Sequence, residues 1–153
     1  PAYVRLGRSG VPVIYGDDAD IKVGKANTVR EGTDVTIIAT GIMVADALEA
    51  ADELAAKGVS ARVIDMHTIK PIDSDAIIKA AADTGKIVTA EEHSVIGGLG
   101  SAVAEVLVQN EPVKVAMVGQ KDTFGESGKP DELRAKYGLT KADIINAVTN
   151  TLE

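Results

Sequence analysis

Three consecutive residues, Glu91, Glu92 and His93, put two carboxylates beside an imidazole, the side chains that general acid and base catalysis uses most. For either carboxylate to donate a proton near neutral pH, burial or a neighbouring charge must first raise its proton affinity. The other reading of the trio is local: it caps the adjacent helix, pairs with a lysine or faces a partner subunit. Just downstream, Gly97, Gly98 and Gly100 form a glycine-rich turn ahead of an apolar stretch. Amide hydrogens at such a turn, where it opens a helix, can hold a phosphate. Yet Val103 stands where a dinucleotide fingerprint needs its third glycine, and Glu91 and Glu92 would repel a pyrophosphate. The glycines therefore read first as a tight turn that lets strand and helix pack closely.

Gly125-Glu126-Ser127-Gly128 hints at an esterase elbow, but Lys129 occupies the position of the final glycine, and neither a strand-to-helix turn nor a partner histidine is expected there. Phe124, the only phenylalanine of the chain, is instead a candidate anchor in a protein interface, where a rigid apolar ring contributes much of the binding energy. His67, in Asp65-Met66-His67-Thr68, reads as a loop residue making a local hydrogen bond. His67 and His93 have no metal-ligand spacing, and without cysteine there is no thiolate site or disulfide, so no bound metal is expected. A cysteine-free chain also fits a reducing, cytoplasmic setting.

A chain of 153 residues supports one compact domain that removes roughly 70% of its unfolded surface from water. A hydrophobic share of 45% and a charged share of 25% describe an ordinary folded, soluble protein rather than a disordered one. The net charge of -7, with no concentrated Lys/Arg segment, argues against nucleic-acid and anionic-membrane partners. No run approaches the roughly 20 apolar residues of a membrane span. A start at Pro1 rather than methionine suggests a piece of a longer chain.

The elements that must position these residues follow a β-α rhythm. Val35–Ala39 reads as a strand buried on both faces, and Val44, Ala47, Leu48, Ala51, Leu54 and Ala55 form one stripe of a helix over 43–57 that Gly58 ends. The rhythm repeats with a strand at 62–64, a helix over 75–83 capped by Asp73 or Ser74 and closed by Gly85, a strand at 87–90, a helix carrying Val103, Val106 and Leu107, and a strand at 113–118. A shorter, more polar strand at 25–30 belongs at the sheet edge, in antiparallel sense. Thr140-Lys-Ala-Asp143 has the form of a capping box before a last helix with Ile144, Ile145, Val148 and Leu152 on its apolar face. The expected fold is a three-layer α/β/α domain with a mostly parallel five-stranded sheet.

Taken together, Asp34–Gly41, Ile64–Asp73, Glu91–Gly100 and Phe124–Gly128 resemble, in order and spacing, the carboxy-terminal domain of transketolases. The match covers nearly the whole chain and looks closest to transketolases whose halves are separate subunits. Related domains of 1-deoxyxylulose-5-phosphate synthase and of 2-oxo acid dehydrogenases share the outline and remain alternatives. The resemblance implies that residues 1–8 are the tail of a preceding pyrimidine-binding domain, that the Gly-, Pro- and Asp-rich stretch 9–24 is a linker, and that 25–153 is the domain itself. In that family thiamine diphosphate and magnesium are held between two other domains, so no cofactor or catalytic residue is expected in this fragment. Arg8 matches an arginine that grips the substrate's sugar phosphate, a task suited to a bidentate guanidinium; Arg5 has no such match and reads as a solvated strand residue. The resemblance further implies ketol transfer between sugar phosphates by the complete enzyme. Its partners would be the missing cofactor-binding domains or amino-terminal subunit and a second copy in a dimer. Two rivals from other classes are a nucleotide-binding oxidoreductase on the same sheet geometry and a regulatory docking module.

Overall fold

The computed structural model describes residues 1–7 and 10–153. Five strands and five helices follow in the order β1 (Asn27–Arg30), β2 (Val35–Ala39), α1 (Met43–Ala56), β3 (Ala61–Asp65), α2 (Ser74–Thr84), β4 (Lys86–Ser94), α3 (Leu99–Asn110), β5 (Lys114–Gln120), α4 (Pro130–Lys136) and α5 (Lys141–Leu152). They build one sheet in the order β1-β3-β2-β4-β5. The pairs β2–β3, β2–β4 and β4–β5 are parallel, and β1 runs antiparallel along β3 at the edge. The five-stranded, mostly parallel sheet and its antiparallel edge strand are as the sequence implies.

Two-residue periodicity divides the apolar side chains between two cores. Val35, Ile37 and Ala39 of β2 and Val88 and Ala90 of β4 face α1 and α5, meeting Met43, Ala47, Leu54, Ile144 and Val148. Ile38 and Ile87 point the other way, against Ile77 of α2 and Leu99, Val103 and Leu107 of α3. Being covered on both sides, β2 is buried at every position, which is why its sequence shows no polar alternation. The helices stop where the backbone turns left-handed: Gly58 follows α1 at φ +84°, and Gly85 closes α2 at φ +65°. At the start of α2 it is Asp73 that caps, accepting from the Ala76 amide, and its second oxygen accepts from Ala26 just ahead of β1.

The structure departs from expectation at two places. β4 does not end at Ala90 but runs to Ser94, so Glu91, Glu92 and His93 belong to the strand, within the stretch where its register against β5 shifts. The polar residues ended the apolar run while backbone pairing continued. A short helix, α4, also forms at 130–136, where Pro130 takes the first turn, Asp131 and Glu132 face the helix's positive end, and Arg134 and Lys136 its negative end. It has no buried residue, so no apolar stripe announced it.

The chain leaves β2 through α1 on one face and leaves β4 through α3 on the other. The order of connections therefore reverses between these two neighbours, and the carboxyl ends of β2 and β4 mark the switch point where open α/β sheets usually place their functional groups.

Candidate functional site

Alternation along β4 places Glu91 on the same face as Ile87 and Thr89, beneath α3, and leaves it 1% exposed. Its two oxygens accept the first amide hydrogens of that helix: Oε2 from Leu99 at 2.7 Å and Oε1 from Gly100 at 2.8 Å. A carboxylate reaching across from a strand thus does the work that an N-cap side chain does from within the chain, and the helix dipole favours its charge. Gly98, the N-cap residue, has no side chain of its own because a Cβ would overlap the Glu91 carboxylate. At Gly100 a Cβ would lie 2.8 Å from Met117 Sδ and 2.9 Å from Thr89 Oγ1. Gly97 has φ +75°, and its amide donates to Ser101 Oγ at 2.9 Å, which in turn donates to the Val95 carbonyl.

The amides that a phosphate would use are therefore already paired with a carboxylate of the same chain, and the glycines serve close packing. Glu91 caps the helix, with both oxygens committed. His93 is half-exposed; its Nδ1 donates to the Ser94 carbonyl at 2.9 Å and lies 3.8 Å from Glu91 Oε2. Glu92, on the opposite face of the strand, is met by Arg5, whose two terminal nitrogens both donate to the Glu92 carbonyl at 3.0 Å while its guanidinium stands 3.7 Å from the Glu92 carboxylate. Arg5 remains largely solvated, as the sequence implies, but a lone arginine on an irregular stretch carries no signal of a backbone acceptor 87 positions away. Arg8 lies outside the described residues.

A second polar group sits at the end of β3. Asp65 is 6% exposed, and the Tyr15 hydroxyl donates to its Oδ2 at 2.6 Å, with Asn27 Nδ2 3.5 Å from the same phenol oxygen. Burial pushes the Asp65 carboxyl up from its usual value, against the opposing pull of the Tyr15 hydrogen bond and of nearby His67. Burial, together with the bond to Asp65, pushes the Tyr15 phenol up to about 12. His67 Nδ1 pairs with the Thr68 hydroxyl at 2.9 Å, the local bond expected of it, while its buried Nε2 has no partner among the described residues. Sequence reasoning missed the pairing of Tyr15 with Asp65, since the two are fifty positions apart and share no spacing motif.

The loop between β5 and α4 has a different character. Phe124 is 98% exposed. The loop is held by polar contacts: Gln120 Nε2 donates to the Thr123 carbonyl at 3.0 Å, the Tyr137 hydroxyl to the Phe124 carbonyl at 3.2 Å, and Lys136 Nζ to Glu126 at 2.6 Å. Arg134 of α4 pairs with Asp46 of α1, whose carboxyl burial raises despite the attraction of Arg134. Ser127 is exposed on this loop, and the hydrogen bonds of both histidines go elsewhere. Among the described residues no group of three or more His, Cys, Asp or Glu side chains could hold a metal ion. At the start of α3, where Glu91 takes the Leu99 and Gly100 amides, a magnesium-bound diphosphate does not fit. Among the described residues no helix is long and apolar enough to cross a membrane.

An open, doubly wound sheet whose switch-point helix is capped by a buried carboxylate of the same chain defines the class: a mostly parallel α/β domain. A family model described as "Transketolase, C-terminal domain" matches residues 24–144, and the chain belongs to that family. It is 50% identical over 153 residues to the 6-deoxy-6-sulfo-D-fructose transketolase subunit of Clostridium sp. (strain MSTE9), covering 100% of this chain and 48% of that protein. It is also 50% identical over 145 residues to an apulose-4-phosphate transketolase subunit of Phocaeicola vulgatus, covering 94% of this chain and 46% of that protein. A solved structure described as a split gene transketolase, inactive beta4 tetramer, superposes with a TM-score of 0.95 at 55% identity, covering 98% of this chain and 49% of that one. The chain spans about half the length of the curated relatives it matches.

Proposed function

We propose that this chain is the carboxy-terminal part of a cytoplasmic, thiamine-diphosphate-dependent transketolase and that it builds the assembly without carrying out the reaction. In this reading 25–153 is the domain, 9–24 the connecting segment and 1–8 the tail of a preceding pyrimidine-binding domain, whose Arg8 corresponds by family resemblance to an arginine that grips a substrate phosphate. The complete enzyme moves a two-carbon ketol unit between sugar phosphates, and thiamine diphosphate with magnesium, bound elsewhere in the longer protein, supplies the carbanion chemistry.

The observation that carries the reading is Glu91. At the edge where an α/β sheet would hold an anionic ligand, the chain spends its helix amides on its own buried carboxylate. That arrangement supports a scaffold over a reaction centre, and it weighs equally against a nucleotide-binding oxidoreductase. Two relatives named for different sugars are each 50% identical to this chain, which fits a sugar preference set outside it. The exposed Phe124 ring suits contact with the cofactor-binding half or with a second copy in a dimer. The name of the superposing structure, an inactive tetramer from a split-gene transketolase, fits a chain that self-associates without turning over.

The test is reconstitution. Residues 1–153 alone should transfer no ketol unit from xylulose 5-phosphate, and adding the cofactor-binding half should restore transfer. Comparable turnover by the lone chain, or no gain on mixing, overturns the reading.

A further inference from the structure

The carboxyl edge of the sheet is gripped at two points by residues that precede β1. Arg5 holds the backbone at the end of β4 through the Glu92 carbonyl, and Tyr15 holds the end of β3 through the Asp65 carboxylate. In the sheet these two strands are separated by β2 alone, so the anchors stand on either side of the β2 end, at and beside the switch point. Next to Tyr15, Ile14 packs against the core shared by α1 and α5. The Tyr15 bond is not a casual surface contact. Its acceptor is a buried carboxylate, Asn27 of the edge strand approaches the same phenol oxygen, and charge-assisted hydrogen bonds of this kind are about twice as strong as neutral ones. Around this stretch Val11, Val13, Ile21 and Val23 are exposed, so little other apolar packing holds residues 10–24 in place.

We propose that Tyr15 is a positioning residue: bonded to Asp65 while Arg5 grips Glu92, it fastens the connecting segment to the carboxyl edge of the sheet, so that the rest of the longer protein meets this domain at a fixed orientation and not on a free tether. The orientation half of this statement rests on the domain organisation given above; the fastening does not. A single anchor would let the segment pivot, whereas anchors at two different strands define a direction. The raised phenol keeps Tyr15 protonated, and therefore a donor, throughout the neutral range.

Limited digestion of the 153-residue chain with a non-specific protease tests the fastening, because cleavage tracks the population of the loosened segment when opening is fast. In Tyr15→Phe and in Asp65→Ala, cleavage within residues 10–24 should be roughly tenfold faster or more, as loss of a hydrogen bond to a charged acceptor implies. Cleavage within β2, β4 and α1 should keep wild-type rates. Asp65→Asn, which retains an acceptor for the phenol, should restore most of the protection. Arg5→Ala should speed cleavage only within 1–7. The ultraviolet ionisation curve supplies a second readout: of the three tyrosines, the step at about 12 should vanish in Tyr15→Phe and move down in Asp65→Ala. Unchanged cleavage over 10–24 in both variants overturns the proposal, and so does faster cleavage that spreads equally through the core. In reconstituted assemblies the same two variants should lower the transfer rate severalfold and Asp65→Asn should not; a loosened segment with full turnover overturns the orientation claim. Failure of wild-type chain to reconstitute would instead count against the proposed function, leaving the cleavage result intact.

Discussion

Two glycine-rich segments of this chain look alike as strings and behave as opposites. In Gly97–Gly100 two of the glycines exist because a side chain has nowhere to go, since a Cβ at Gly98 would overlap the Glu91 carboxylate and one at Gly100 would press on Met117 and Thr89, while Gly97 has open space around it and turns left-handed at φ +75°. In the Phe124–Gly128 loop a Cβ at Gly125 would meet nothing closer than Gln120 Nε2 at 3.9 Å, and the adjacent phenylalanine stands in solvent. The first segment opens onto a packed corner in which Glu91 takes the two amides of α3; the second is a shaped projection held by side-chain hydrogen bonds. Glycine content therefore identifies neither a ligand loop nor a flexible one. What distinguishes the two is what the missing side chain would have touched.

The contrast breaks most sharply at Glu91. Replacing it by alanine removes the acceptor of two buried amides and leaves a void, which should cost about 3 to 5 kcal/mol in urea denaturation. Glu91→Gln, which keeps one acceptor but turns an amino group toward the other amide, should fall between. A loss under about 1 kcal/mol for the alanine variant would mean that α3 starts well enough without its cap. Next in size is Gly100→Ala, where overpacking against Met117 and Thr89 should cost about 1 to 3 kcal/mol. Its counterpart Gly125→Ala should stay within about 0.5 kcal/mol of the parent. Equal effects at the two glycines would erase the distinction.

How much of this was legible in the sequence depends on how local the determining interactions are. The β-α rhythm, the glycine that ends α1 and a cap for α2 at Asp73 or Ser74 all rest on neighbours a few positions apart, and the short, polar run of β1 was enough to place it at the edge. The Thr140–Asp143 box is equally local: the Thr140 amide donates to Asp143 Oδ2 at 3.0 Å. Glu91 was legible as one of several options, because a polar trio after an apolar run signals that something is bonded without saying what. Arg5 on Glu92 and Tyr15 on Asp65 were not legible, since each joins an irregular stretch to a strand end through one side chain. Helix α4 escaped because its stability comes from capping charges and the Asp46–Arg134 pair rather than from an apolar stripe.

A smaller effect calibrates the capped corner against a second one. Asp73 also caps a helix, but from that helix's own N-cap position and with Lys25 beside it. Burial pulls its carboxyl upward, yet the Ala26 and Ala76 amides and Lys25 prevail and hold it below the usual carboxylate range. Because the folded value is the lower one, its contribution is complete above the ordinary aspartate range near about 3.9 and is lost as the pH falls through the folded value. Asp73→Ala should cost about 1 to 2 kcal/mol near neutral pH, and the gap from wild type should close on acidification. Asp65, raised by burial, has the reverse sign: relative to Asp65→Asn, wild type should gain as the pH falls and lose ground as it rises. Denaturation midpoints measured from neutral to acidic pH separate the two.

The smallest effect on folding is expected at the exposed extreme. Phe124 is so open that the folded chain gains almost nothing by burying it, so Phe124→Ala should leave stability within about 0.5 kcal/mol of wild type. Its ring still needs a reason to stand in water, and an anchor that is covered only on assembly gives one. Sedimentation of the alanine variant, alone and with the cofactor-binding half, should therefore show association weakened about tenfold or more, the cost typical of a central aromatic anchor. A variant that folds and associates like wild type would make the loop a surface projection without a partner. A variant that unfolds would show instead that the loop belongs with the packed corner after all, and the contrast between the two glycine-rich segments would collapse from the other side.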